Sequence, residues 1–249
     1  METGTGVGKA TPSRINGPLA PTKKPGRILP LSDNKEVRKF LIAGGNSTAL
    51  VYGCPAAYRG GAAKKLLKEV EQVGFVSARA GLPKMTMMGG ELCINATLAF
   101  ASTLDEGGKL AASGLKDLVR YSNKNETATI WVPLGFKKYG NTILLEGIGF
   151  ILYDVKEKSK IEKQELLSLS KKYRLPAFGG IVYDGNRITP YVYVKKVDSF
   201  VKETACGSGS IAFSIFSGIG KVIQPTGEKL RIKSKKRFFE VSAKVSDYA

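Results

Sequence analysis

From Val37 onward the chain alternates short apolar runs with glycine- and asparagine-rich connections, a pattern that predicts many short strands and few helices. Phe40-Leu41-Ile42 leads through Ala43-Gly44-Gly45 into Asn46-Ser47-Thr48-Ala49-Leu50-Val51, which reads as strand, glycine turn, strand. Residues 62–72 have helical composition, and 72–76 read as a short strand leaving that helix. A second helix is expected from Cys93, because Ile94-Asn95-Ala96-Thr97-Leu98-Ala99-Phe100-Ala101 is rich in small and apolar residues, as a helix buried on all sides would be. Strands are expected at 118–121, 129–132 and 142–145.

The second half repeats this order. A strand over 148–155, a polar helix over 163–172 and strands at 180–183 and 191–194 around the Asp184-Gly185-Asn186 turn precede Glu203-Thr204-Ala205-Cys206-Gly207-Ser208-Gly209-Ser210, which opens the apolar run 211–216. In each half, strands lead to a glycine-rich turn, a cysteine and a small-residue helix. The expectation is an α/β (α+β) protein of two similar lobes facing each other: 36–145 carrying Cys93, and 146–249 carrying Cys206, whose last strands pack back on the first lobe. Residues 1–35 lack helix or strand periodicity and are expected to form a mobile tail. Within them Gly4-Thr5-Gly6-Val7-Gly8-Lys9 has the outline of a phosphate loop, but Ala10 replaces the hydroxyl residue and no strand precedes it.

Composition narrows the chemistry. The 249 residues are 43% hydrophobic and 24% charged, which suits a globular protein with a sizeable core. No run reaches the roughly 18 apolar residues of a membrane span, so a cytoplasmic protein is expected. An excess of 39 Lys and Arg over 21 Asp and Glu gives a net charge of +18, but the basic clusters are scattered and no basic stripe is interleaved with aromatics. That arrangement describes a lysine-rich solvated surface and argues against a nucleic-acid partner.

Histidine is absent and cysteines number three. Ser-His-Asp and Cys-His machinery cannot be built, and a zinc site of four thiolates is out of reach, so no metal is expected. An odd cysteine count in a cytosolic chain also argues for free thiols. Proton transfer is left to Cys, Asp, Glu, Lys or Tyr.

Cys93 and Cys206 each stand at the first turn of an expected helix, where unpaired N–H groups and the helix dipole favour a thiolate and can also hold a carboxylate. The backbone N–H groups of Asn95, Ala96, Gly207, Ser208 and Gly209 are the candidate carboxylate ligands. Inverting a carbon centre without a cofactor needs one group to remove the α-proton from one face and another to deliver a proton to the opposite face. A single buried cysteine is ordinarily core, and Cys54, before Pro55 and without a partner motif, is read that way. Two matched cysteines in matched halves are what set the other pair apart.

At these residues the chain resembles the diaminopimelate epimerase superfamily, and within it the histidine racemases of staphylopine-type metallophore biosynthesis. The resemblance covers about residues 38–232 and is carried by residues 45–51, by Glu71-Gln72-Val73-Gly74-Phe75, by Gly90-Glu91-Leu92-Cys93-Ile94-Asn95-Ala96-Thr97 and by Glu203-Thr204-Ala205-Cys206-Gly207-Ser208-Gly209. It implies two lobes, each with strands wrapped around a central helix, and an active site in the cleft between them. It implies Cys93 and Cys206 as the proton-transfer pair, Asn46, Gln72 and Asn95 as polar contacts to substrate, and Glu203 as an acidic neighbour of the second cysteine. It further implies a free amino-acid substrate, no cofactor and a homodimer. Two departures stand out: Ile94 occupies the place of a glycine beside the first cysteine, which puts the shape of the pocket and activity at issue, and Ser199-Phe200-Val201-Lys202 replaces the Glu-Arg-Gly run that holds the second carboxylate of diaminopimelate. Histidine racemisation is therefore the leading expectation and diaminopimelate epimerisation the alternative. From another class come a catalytically silent relative and a nucleic-acid-binding one.

Overall fold

A computed structural model describes residues 36–79 and 81–248. The tail expected over 1–35, with its glycine-lysine segment, lies outside the described residues.

The first part of the chain forms β1 (Val37–Ile42), β2 (Asn46–Tyr52), α1 (Arg59–Leu66), β3 (Gln72–Arg79), β4 (Leu82–Met87), α2 (Ile94–Ser102), β5 (Gly107–Ala112), β6 (Val119–Lys124) and β7 (Thr127–Pro133). The second part forms β8 (Phe136–Tyr139), β9 (Thr142–Leu145), β10 (Ile148–Asp154), α3 (Lys163–Tyr173), β11 (Ala177–Asp184), β12 (Arg187–Val194), β13 (Ser199–Lys202), α4 (Gly207–Ser217), β14 (Lys221–Ile223), β15 (Lys229–Lys235) and β16 (Phe238–Asp247). The result is a mixed α/β fold with few helices and a closed sheet.

Strands β1 to β7 pair in sequence order, and β16 closes the ring by pairing with β7 through Phe238–Lys244 and with β1 through Val245–Asp247. Strict alternation makes this closure possible: Phe239, Val241, Ala243 and Val245 are buried, while Phe238, Lys244 and Ser246 face outward. Inside the ring runs α2, whose residues Ile94 to Ala101 are all buried. Its Ala96, Ala99 and Ala101 keep the helix thin enough for strands to pass close on every side. The remaining strands run in the order β15-β14-β12-β11-β10-β9-β8, with β13 on β12, and α4 packs on β9, β10, β11, β14 and β15. β9, which ends at Leu145, is hydrogen-bonded to β10.

The helix expected over 62–72 is shorter than its composition suggests. It ends at Leu66, and Glu71 turns to donate its N–H to the Ser47 carbonyl before Gln72 enters β3, parallel to β2 with Gln72 opposite Thr48. Strand pairing with β2 overrides local propensity there. The consequence is functional, because it aims Glu71 and Gln72 at the start of α2.

Two glycines hold the backbone that leads into Cys93. A side-chain carbon on Gly114 would lie 2.4 Å from the Leu92 nitrogen, and one on Gly147 would lie 2.6 Å from the Gly114 Cα. Both have positive φ, 78° and 76°, so their turns need glycine for conformation as well as for space.

Candidate active site

Cys93 is the N-cap of α2 and Cys206 the N-cap of α4, each with extended backbone. The two ends are built alike. Cys93 Sγ accepts from the Ala96 N–H at 3.3 Å, and Cys206 Sγ accepts from the Gly209 N–H at 3.2 Å. Thr97 Oγ1 donates to the Cys93 carbonyl and Ser210 Oγ donates to the Cys206 carbonyl, both at 2.7 Å.

The ends also brace each other. The Gly207 N–H donates to Asn95 Oδ1 at 2.9 Å, and the Ile94 N–H donates to Ser208 Oγ at 3.2 Å. Each helix thus caps the first free N–H of the other with a side chain from its own second position. Asn95 Nδ2 adds a bond to the Ala205 carbonyl at 2.8 Å. These contacts, spanning more than a hundred residues, place both sulfurs on one cavity.

A polar chain runs outward from Cys93. Its S–H donates to Gln72 Oε1 at 2.7 Å; Gln72 Nε2 donates to Asn46 Oδ1 and, at 3.0 Å, to Thr48 Oγ1. Asn46 Nδ2 donates to Glu71 Oε2 at 2.7 Å, and Glu71 Oε1 accepts from Thr204 Oγ1 at 2.7 Å. The chain therefore returns to the segment just before Cys206.

Of the residues singled out from sequence, Cys93, Cys206, Gln72, Asn95, Glu203, Gly207 and Ser208 line the cavity. Asn46 does not; fully buried behind Gln72, it orients that amide. Ala96 and Gly209 also stand back from the cavity, their N–H groups spent on the two sulfurs. Cys54 is buried away from it, its S–H directed at the Pro55 carbonyl. Ile94 does not line the cavity either. It is fully buried against Gly207, where an added carbon would lie 2.5 Å from its Cγ2. Ile94 thus fills the contact between the two helices and stands outside the cavity wall.

Sequence reasoning missed two lining carboxylates, Glu71 and Glu91. With Glu203 they surround the thiols, and the lining contains no Lys or Arg. Burial pushes Glu203 up to about 8 and Glu91 up to about 7 from an ordinary 4.5, and it also raises Glu71. The thiolate expectation is corrected by the same physics. Burial first, then the neighbouring Glu203 charge, drives both thiols well above the usual range, and the N–H groups of Ala96 and Gly209 only partly offset this. Cys206 shares a hydrogen bond with Glu203, which helps hold the proton on the sulfur.

The cavity as it stands leaves about 30 Å³ free, room for a water molecule, whereas small-molecule pockets run to about 300–1,000 Å³. An amino acid enters only if the surrounding elements part.

No family model matches the chain. It is similar to the histidine racemases of two strains of Fusobacterium nucleatum subsp. nucleatum, at 28% identity over 66% of this chain and 75% of that one, and at 27% identity over 66% and 76%. Its fold is similar to that of a Pseudomonas aeruginosa protein described as a predicted epimerase, with a TM-score of 0.64 at 10% identity over 87% of this chain and 98% of that one. It is also similar to that of a phenazine biosynthesis PhzF-family protein of Enterococcus faecalis, with a TM-score of 0.55 at 16% identity over 86% and 98%. The architecture is similar to that of these epimerase-like and PhzF-family folds. Among the described residues no helix is long and apolar enough to cross a membrane.

Proposed function

We propose that this protein is a cofactor-independent amino-acid racemase or epimerase, with Cys93 and Cys206 as opposed acid and base and free histidine as the first substrate to test. The observation that carries the reading is the placement of two buried thiols, each at the N-cap of its own helix, on one cavity. The sequence similarity to histidine racemases supports the same choice. A lining whose charged residues are all carboxylates, with no Lys or Arg among the described residues, disfavours diaminopimelate, which brings a second carboxylate needing a cation.

The two sulfurs start from different protonation states. Cys206 releases its proton to solvent as the substrate ammonium binds and becomes the thiolate, while Cys93 keeps its proton on the hydrogen bond to Gln72. The substrate ammonium, entering among carboxylates, draws both thiol pKa values down. Cys206 then takes the α-proton, and the electron pair of the broken C–H bond spreads into the substrate carboxylate. In this reading the N–H of Ser208, together with that of Asn95, which also faces the Cys93 sulfur, holds that charge. Cys93 delivers its proton to the opposite face. The cysteines finish with their roles exchanged, and proton exchange with solvent resets them. A homodimer in the cytoplasm and a place in opine-type metallophore synthesis belong to this proposal.

Incubation with a panel of L-amino acids in deuterated water, followed by mass and chiral analysis, tests it. Histidine is expected to gain α-deuterium and lose optical purity. Loss of about 10²–10⁴-fold is expected in Cys93→Ser and in Cys206→Ser. Full activity in either variant removes that cysteine from the mechanism.

A further inference from the structure

Glu91 stands immediately before Leu92 and Cys93, and its carboxylate faces the cavity while 3% exposed. The backbone N–H groups of Glu91 and Gly89 lie beside the carboxylate and partly offset its burial. Its Oε2 has no hydrogen-bond partner, and among the described residues Glu91 makes no ion pair. Glu203, 7% exposed, likewise leaves its Oε2 without a partner on the same cavity. Glu71, the third carboxylate, is already occupied by Asn46 and Thr204.

Buried acceptors left without donors are unfavourable unless a ligand supplies them. The cavity therefore offers two buried carboxylate oxygens that the protein does not satisfy. An α-amino acid brings one ammonium, which answers one of them, while its carboxylate belongs with the helix N-termini. A second donor must come from the substrate side chain. The same cavity is lined by Met88, Val192 and Val194, apolar surfaces that suit the carbon part of such a side chain and strengthen a charge-assisted bond at its tip.

We propose that Glu91 is a specificity-determining residue: together with Glu203 it receives an amino acid whose side chain ends in a basic nitrogen, and it discriminates against neutral side chains. This rests on the racemase reading above and names a residue and a substrate class for it.

Calorimetric binding and α-deuterium exchange, measured in parallel on the full chain and on Glu91→Gln, separate the two. L-Histidine, L-arginine and L-lysine are compared with L-leucine and L-glutamine. At least one of the basic amino acids is expected to bind the unmodified protein about tenfold or more tighter than either neutral one, and Glu91→Gln is expected to erase that preference and raise KM for the basic substrate. Equal affinity for basic and neutral amino acids, or an equal loss for both classes in Glu91→Gln, overturns the assignment of Glu91 and leaves racemisation standing. Preferential binding without any exchange supports Glu91 and overturns racemisation. A thermal melt accompanies the variant, and Glu91→Asp, which keeps the charge but shortens its reach, is expected to retain part of the preference if the fold of the Gln variant is impaired.

Discussion

Replacing Glu203 with Gln changes how stability depends on pH, and burial of the carboxyl sets the sign. Burial raises this carboxyl from 4.5 to about 8, so the folded state prefers it protonated. Its contribution is fully present below the unfolded value near 4.5 and is lost as pH rises through about 8. With about 1.4 kcal/mol for each pH unit of displacement, the unmodified protein should lose about 4 kcal/mol relative to Glu203→Gln between about pH 5 and pH 9. That is a large part of the roughly 5–15 kcal/mol by which a domain is stable. Urea unfolding of both proteins across this range reads the difference, with the titrating groups remote from Glu203 cancelling. The variant should be the more stable of the two at the alkaline end. Parallel stability curves, differing by less than about 1 kcal/mol in their pH dependence, would show that Glu203 is solvated and ionised, and the buried-carboxylate reading of the site would fail. Because Glu71 and, less strongly, Glu91 also raise Glu203, the shift belongs in part to the cluster, and Glu91→Gln should lower the apparent midpoint seen for Glu203.

Further expectations follow from the bracing and the helix contact. Asn95→Ala strips partners from the Gly207 N–H and the Ala205 carbonyl and should destabilise the fold by about 2–4 kcal/mol in urea unfolding; a loss under about 1 kcal/mol would mean the brace is dispensable. Ile94→Ala should cost about 2–4 kcal/mol of stability with KM for the preferred substrate unchanged, and a changed KM would place Ile94 in the cavity wall. Substrate should slow alkylation of Cys93 and Cys206, both buried, whereas modification confined to Cys54 would count against the shared cavity.

Much of the site was legible before any coordinates because its signals are local. A cysteine followed by small and apolar residues marks a capped, buried helix, and it occurs twice. The strands that close the ring were harder to read. Residues 229–247 alternate cleanly, yet Lys233, Lys235, Lys236 and Arg237 dominate the segment and suggest surface charge before they suggest a strand. Glu71 was concealed by its helix-like neighbours, since its place depends on Ser47 and Thr204, 24 and 133 residues away. Glu91 lies inside the first cysteine motif, and a charged residue in an otherwise apolar approach to a buried helix was a visible clue. What sequence could not supply is the balance between helix N–H groups, which favour thiolates, and burial among carboxylates, which favours thiols. That balance exists only once the two ends meet.

The most direct test of opposed thiols is where deuterium goes at low conversion. In deuterated water, starting from the L-amino acid, the D-product should carry α-deuterium while recovered L-substrate keeps its original hydrogen, because the removing and delivering groups are different sulfurs on different faces. Deuterium entering recovered L-substrate as fast as product forms would mean that one group serves both faces, and the account of Cys93 and Cys206 as an acid–base pair would be contradicted.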